Sequence, residues 1–195
     1  MSSRLRKSSL LVLVVPAVIA LGACGESHSR VTTGTYAGES GAGAPYLDVG
    51  PLVYEVQLSR QLNPFDTEDA AYLQGLSASQ RVLTSRQEWL AVFLQVYNHT
   101  SAALQAASSL TVTDTQGNRY TPVLPEQANQ FAYRAGAVPG DGRLPEANSI
   151  AAAGPTQGAL VLYKIQNVSL DNRPLKITIV DPTDASQTAS AELDV

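Results

Sequence analysis

Seven short segments of this chain are apolar at every second residue, and each closes within a few residues on Gly, Pro, Asn, Asp or Ser. A period of two puts alternate side chains on opposite faces of a strand, and the closing residues are those that favour turns. Leu52-Val-Tyr-Glu-Val-Gln-Leu58 places Leu52, Tyr54, Val56 and Leu58 on one face, opposite Val53, Glu55 and Gln57. Trp89-Leu-Ala-Val-Phe-Leu-Gln-Val-Tyr97 is apolar on both faces and reads as a central strand ended by Asn98-His-Thr-Ser. Leu110-Thr-Val-Thr-Asp114 and Arg119-Tyr-Thr-Pro-Val123 flank Thr-Gln-Gly-Asn, a hairpin in which Gly117 or Asn118 can take positive φ. Ala159-Leu-Val-Leu-Tyr-Lys-Ile165 has two apolar faces, Leu175-Lys-Ile-Thr-Ile-Val180 turns Leu175, Ile177 and Ile179 inward, and 189–195 suits a last edge strand. Strands without alternating helices predict an all-β, two-sheet antiparallel β-sandwich over residues 46–195. Two shorter stretches carry helical signals: 67–76, with Thr67 as cap, and the Ala-rich 101–109, which suits a helix or a loop equally.

The residues before 46 do not share this pattern. Arg4, Arg6 and Lys7 precede the apolar run Leu10-Leu-Val-Leu-Val-Val-Pro-Ala-Val-Ile-Ala20. Eleven apolar residues are too few for a bilayer core, which needs about 20, and suit the hydrophobic region of a signal peptide. Leu21-Gly-Ala-Cys24 follows and resembles the bacterial lipobox, which implies a signal peptide of residues 1–23 and lipid attachment at Cys24. Cys24 is the single cysteine of the chain, so an internal disulfide or a Cys-rich zinc site is excluded. Residues 24–45 are mostly Gly, Ser, Thr and Ala, too poor in apolar surface to offset ordering entropy, and read as a flexible tether. Removing residues 1–23 takes away three cations and no acid, so the formal charge moves from −4 to −7. An acidic body is repelled by an anionic bilayer and is a poor nucleic-acid binder; the expected membrane contact is the covalent lipid on Cys24, on the extracytoplasmic face of a bacterial cell membrane.

Three stretches of the body carry a family resemblance. Val92-Phe-Leu-Gln-Val-Tyr-Asn98 is followed by Leu110-Thr-Val-Thr-Asp-Thr-Gln-Gly-Asn-Arg-Tyr-Thr-Pro122, with the pattern Asp-x-x-Gly-x-x-Tyr-x-Pro, and then by Gly158-Ala-Leu-Val-Leu-Tyr-Lys-Ile165. Together they resemble a bacterial immunoglobulin-like, telokin-like domain family of unknown function, whose members are often signal-peptide-bearing extracellular proteins or lipoproteins. The resemblance spans about residues 88–180 and implies an immunoglobulin-like fold and no catalytic residues. Tyr163 stands where the family has Phe, no Pro follows Ile165 promptly, and 125–157 is longer than a simple connection.

A search for chemistry finds no catalytic set, no metal site and no cofactor motif. The two histidines are His28 in the tether and His99 in a strand-end turn, with no Gly-x-Ser-x-Gly elbow and no Walker or dinucleotide fingerprint. Asp66-Thr-Glu-Asp69 offers three carboxylates, readable as a calcium site or as an acidic helix start. Asn98-His-Thr100 and Asn167-Val-Ser169 match the glycosylation pattern by chance. Trp89, Phe93 and Tyr97 share one strand face, suited to core packing or to ligand stacking. The long 125–157 segment carries Phe131, Tyr133 and Arg134, the candidate binding loop, while its Pro, Gly and Ala content suits the cover of a sheet edge. The expected function is a lipid-anchored binding module with an envelope protein or surface ligand as partner. A structural spacer and an enzyme with a site assembled in space are the rivals.

Overall fold

The computed structural model describes residues 29–32 and 46–195; the signal peptide, Cys24 and the rest of the 24–45 segment lie outside the described residues. In chain order the elements are β1 (Ser29–Thr32), β2 (Tyr46–Val49), β3 (Leu52–Leu62), α1 (Thr67–Tyr72), α2 (Ala78–Arg81), β4 (Gln87–Asn98), β5 (Leu104–Gln105), β6 (Ser109–Thr113), β7 (Arg119–Tyr120), β8 (Ala137–Val138), β9 (Arg143–Leu144), α3 (Ile150–Ala153), β10 (Ala159–Gln166), β11 (Leu175–Val180) and β12 (Thr188–Leu193). One sheet runs β10-β4-β3-β2, with β9 also on β4; the other runs β1-β12-β11-β6-β7; β5 and β8 pair separately. The pairings are antiparallel except β1 with β12. This is the antiparallel β-sandwich that the alternation predicts.

The core lies between the sheets and is built by the period-two faces. From β4, Leu90, Val92, Leu94 and Val96 point inward to meet Val112, Ile177, Ile179 and Ala191 of the other sheet in one buried cluster. The opposite face of β4 is also dry. Trp89, Ala91 and Phe93 join Leu160 and Leu162 of β10 and are covered by Tyr72, Leu73 and Leu76 from the α1 region. Tyr72 meets Phe93 edge-on at 5.1 Å between centroids. A strand buried on both faces reads as a continuous apolar run, which is why 89–97 lacks polar alternation. Each large side chain buried this way contributes about 1.5–3 kcal/mol.

Several local expectations change. Leu58 does not share a face with Leu52, Tyr54 and Val56. A β-bulge shifts the register between Val56, opposite Leu94, and Leu58, opposite Phe93. One extra residue inverts the alternation, so Leu58 packs in the outer cluster and Ser59 is buried instead, its hydroxyl donating to the Asp194 carbonyl at 3.0 Å. The cap of α1 is Asp66 rather than Thr67, its carboxylate accepting from the Glu68 and Asp69 backbone N–H groups. Residues 101–109 form a loop with the two-residue β5, because Ala and Ser offer no apolar stripe to hold a helix against the sheet. β12 is not an edge, since β1 lies alongside it. Those four β1 residues also depart from the tether reading: backbone pairing with β12 supplies what their composition lacks.

The β6–β7 hairpin explains the Asp-x-x-Gly-x-x-Tyr pattern. The buried Asp114 carboxylate accepts from the Gln116 N–H (3.0 Å), the Asn118 N–H (2.9 Å), the Asn118 side-chain amide (2.8 Å) and the Ser169 hydroxyl (2.7 Å). Gly117 takes φ +84, and the Tyr120 hydroxyl lies 2.5 Å from that of Ser169. Burial pushes the Asp114 carboxyl up, but the Asn118 and Ser169 side chains and the two backbone donors outweigh it and hold the group at about 2.

The long segment after the hairpin closes the outer edge of β10. The Val123 N–H donates to Leu162 O, the Tyr133 N–H to Leu160 O, and the Leu160 N–H to Phe131 O, each at 2.7 Å. Asn129 anchors this cover: its amide donates to the Tyr72 and Gln74 carbonyls, both at 2.8 Å, and its carbonyl oxygen accepts from the Phe131 (2.9 Å) and Ala132 (3.0 Å) N–H groups.

A carboxyl held below its unfolded value stabilises the fold above that value and loses its effect as pH falls through the folded one. Asp114→Asn therefore lowers the unfolding free energy at pH 7, by about 2 kcal/mol for loss of charge-assisted bonds. The gap from wild type narrows as pH drops from about 4 toward 2, as urea titrations across that range will show. Asn129→Ala removes four bonds from a buried site and costs about 2–3 kcal/mol. Hydrogen exchange will show the Phe131, Ala132 and Tyr133 amides opening before those of β4.

Candidate functional site

The two segments that cover β10 meet its edge two residues apart, at Leu160 and Leu162, and a cleft of about 460 Å³ remains beside them. Its walls come from both sheets. Leu110 belongs to β6, Leu160 and Leu162 to β10, and Pro122, Val123 and Pro125 to the crossover between the sheets. Leu124 stands at the mouth, 63% exposed. The polar groups of the lining include the Ser108 hydroxyl, the Gln127 amide, Tyr133 and Arg134.

Two of the three residues expected to form a binding loop reach this cleft. Arg134 is half-buried, and its guanidinium donates to the Pro125 carbonyl at 2.7 Å and the Glu126 carbonyl at 2.5 Å, tying the two covering segments together. Tyr133 is buried with its phenol in the main core, donating to the Ala107 carbonyl at 2.7 Å, while the Ala107 N–H donates to the Tyr54 hydroxyl at 2.7 Å. Burial pushes the Tyr133 phenol far up and that of Tyr54 up to about 12, the latter despite the Ala107 donor, so both stay neutral. Phe131 is not part of the cleft. It packs edge-on against Tyr72 at 4.9 Å in the outer cluster. The segment thus covers a sheet edge, one of the two readings its composition left open, and a lined cavity lies beside it.

The other candidates resolve into structural roles. Asp66 caps α1, and Asp69 accepts the Asn63 N–H at 2.7 Å and pairs with Arg60 at 2.5 Å, so the acidic run is committed to the helix start rather than to calcium. Among the described residues no group of three His, Cys, Asp or Glu side chains could hold a metal ion. His99 is exposed and stacks on Tyr97 at 6.1 Å in an open depression it shares with Asp141, Arg143 and Glu146. The Tyr97 phenol there is turned to the Glu55 carboxylate (2.9 Å) and the Gln95 amide oxygen (2.6 Å). Trp89 and Phe93 serve packing, and Tyr97 ends in that polar group instead of continuing an aromatic platform. The Asn98 amide is 1% exposed and donates to the Ala102, Val138 and Pro139 carbonyls, which leaves it sealed from a glycosylating enzyme.

Sequence reasoning missed Asn129 and the β10 edge as builders of the site. An Asn in a Pro- and Ala-rich stretch carries the same sequence signal as any turn Asn, and only the fold brings the Tyr72 and Gln74 carbonyls to it. Nor is it visible in the sequence that the covering chain meets the β10 edge at Leu160 and Leu162 and leaves a cleft beside them.

No protein-family model matches the chain, and no curated protein matches its sequence. Solved structures do match its fold. The yjhA protein of Bacillus subtilis has a TM-score of 0.50 at 9% identity, covering 77% of this chain and 97% of its own. A protein of the same species described as a "putative lipoprotein (ycdA)" has a TM-score of 0.50 at 10% identity, covering 76% of this chain and 38% of its own. An uncharacterised β-sandwich protein of Clostridium difficile, at TM-score 0.43 and 7% identity, is too distant to carry an argument. No helix among the described residues is long and apolar enough to cross a membrane. The chain therefore shares its fold with two Bacillus subtilis proteins, one of them described as a "putative lipoprotein".

Proposed function

We propose that this protein is a lipid-anchored extracytoplasmic binding module, held to the membrane by Cys24 and engaging its ligand through the lateral cleft of the sandwich. The cleft carries the reading. It is mostly apolar, of small-molecule size, and has a few polar groups in its lining, as ligand sites do. The anchor is supported by the order of Arg4-Leu-Arg-Lys7, the apolar run to Ala20 and Leu21-Gly-Ala-Cys24, and the fold's likeness to a protein described as a "putative lipoprotein" agrees with it. Binding is favoured over catalysis because His99 sits exposed in an open depression whose other polar groups are Asn98, Asp141, Arg143, Glu146 and the bonded Tyr97 phenol.

Cys24→Ala will move the protein from the detergent phase to the aqueous phase in Triton X-114 partition of cells, and retention in the detergent phase would refute the anchor. For the cleft, a photo-crosslinking residue placed at Leu124 in living cells will give an adduct by intact mass. The same residue at Gln116, on the far hairpin, will not. Equal yields at the two positions, or none at Leu124, would assign the sandwich to a spacer role.

A further inference from the structure

We propose that the ligand of the cleft is a small amphiphile with an apolar body and a carboxylate, the carboxylate held by Arg134; this rests on the cleft being the binding site, as argued above. The apolar body is set by the walls. Leu110, Pro122, Val123, Leu160 and Leu162 offer no charge, and a cavity of about 460 Å³ holds a fused aromatic pair or a medium-length alkyl chain.

The anionic group is set by Arg134. Its guanidinium has five N–H donors, and the two bonds it makes go to neutral carbonyls, those of Pro125 and Glu126. The described ion pairs place Arg60 against Glu68 and Asp69, and none matches a carboxylate to Arg134. A half-buried guanidinium at the edge of an apolar cavity thus pairs with no described carboxylate and has three donors beyond these two bonds. The planar fork suits a carboxylate, which accepts two parallel bonds from it. The carbonyls of Pro125 and Glu126 hold the fork in place in advance, so a ligand does not bear the whole entropy of ordering that side chain.

The backbone argues for a small molecule over a peptide. An extended peptide would bind by adding a strand to β10, and that edge is already taken. The N–H and carbonyl of Leu160 and the carbonyl of Leu162 are bonded to Phe131, Tyr133 and Val123. These two bridges stand about 7 Å apart, two strand residues, and so interrupt the edge beside the cleft, where an added strand would have to pair.

The test uses the full chain carrying Cys24→Ser in detergent-free buffer, titrated by calorimetry with 2-naphthoate, the neutral isostere 2-naphthamide and the cation 2-naphthylmethylammonium. Naphthoate will bind about tenfold or more tighter than the amide, which corresponds to about 1.4 kcal/mol, and the ammonium will bind most weakly. Arg134→Gln, which keeps an amide donor for the Pro125 carbonyl, will erase the preference while leaving naphthamide binding in place. Ala135 is exposed and lines the cleft, so Ala135→Trp fills the cavity from its rim without touching the core, and both ligands will lose binding. Equal affinity of the acid and the amide for the wild type would overturn the proposal, as would a preference that survives Arg134→Gln or binding that survives Ala135→Trp. Tighter binding of an acetylated tripeptide ending in Leu than of naphthoate would replace the small molecule with a peptide terminus. Should Arg134→Gln fail to fold by circular dichroism, the wild-type comparison and Ala135→Trp still decide. Failure of these titrations leaves the Leu124 adduct and the Cys24 partition as separate readouts of the broader function.

Discussion

The burial of β4 on both faces is the constraint that organises the rest of the molecule. A sandwich strand ordinarily turns one face to the other sheet and one to water. Here Trp89, Ala91 and Phe93 are dry on the side away from the second sheet, so something must cover them. The chain supplies the α1 region, which brings Tyr72, Leu73 and Leu76 over that face, and the segment after β7, which brings Phe131 beside Tyr72. These covers are short. α1 has six residues and α2 has four, below the length at which a helix holds itself in water. α1 is held by Tyr72 on the apolar face beneath it, and both are held by caps: Asp66 for α1, and the Ser77–Gln80 capping box for α2.

Covers built from irregular chain raise a second problem, since every backbone group they bury needs a partner. The structure answers it with a few polar side chains that each serve several backbone groups. Asn98 ties the end of β4 to the loop after it and to the end of β8. Asn129 joins the end of α1 to the cover of β10. Asp181 gathers the Thr183 N–H and hydroxyl and the Asp184 N–H at the β11–β12 turn. Gly50 lies so close to Asp181 that a Cβ there would come within 2.1 Å of its carboxylate, and its φ of +58 disfavours any side chain. Amides are suited to this work because each offers donors and an acceptor at once, and loops rather than ladders are what they connect.

Two physical conditions decide how much of this was legible in the sequence. Where a feature depends on period and local turn chemistry, the residues announce it: the two-faced run 89–97, the inward Leu175, Ile177 and Ile179, and the Asp114–Asn118 turn all stand where alternation and turn residues put them. Where a feature depends on what lies across the fold, they do not. The bulge at Gln57 leaves the alternation of 52–58 unbroken to the eye, yet it sends Leu58 to the other face, because the count that matters is residues per partner and not residues per strand. The candidate loop shows the same divide. Aromatic and Arg content pointed to 131–134, but the three side chains part company: Phe131 packs under the helical cover, Tyr133 enters the main core and Arg134 alone presents a charged group to the cleft. Composition marked the segment, and topology assigned its parts.

The cleft follows from the same geometry. A regular strand laid along β10 would have sealed that edge with a continuous ladder and left no space between the sheets. The chain instead meets the edge in two separate places, Val123 antiparallel at Leu162 and Ala132 parallel at Leu160. Segments arriving in opposite senses cannot form one strand, so their side chains cannot fill the gap as a pleated surface would. Arg134 spans it with bonds to carbonyls, an arrangement that leaves a charge poised over apolar walls. A Leu or Met in its place would bury more apolar surface with no charge to desolvate, but would leave the Pro125 and Glu126 carbonyls without these donors. That balance sets Arg134 apart from an apolar edge cover: it keeps both carbonyls bonded and leaves one charged group among apolar walls.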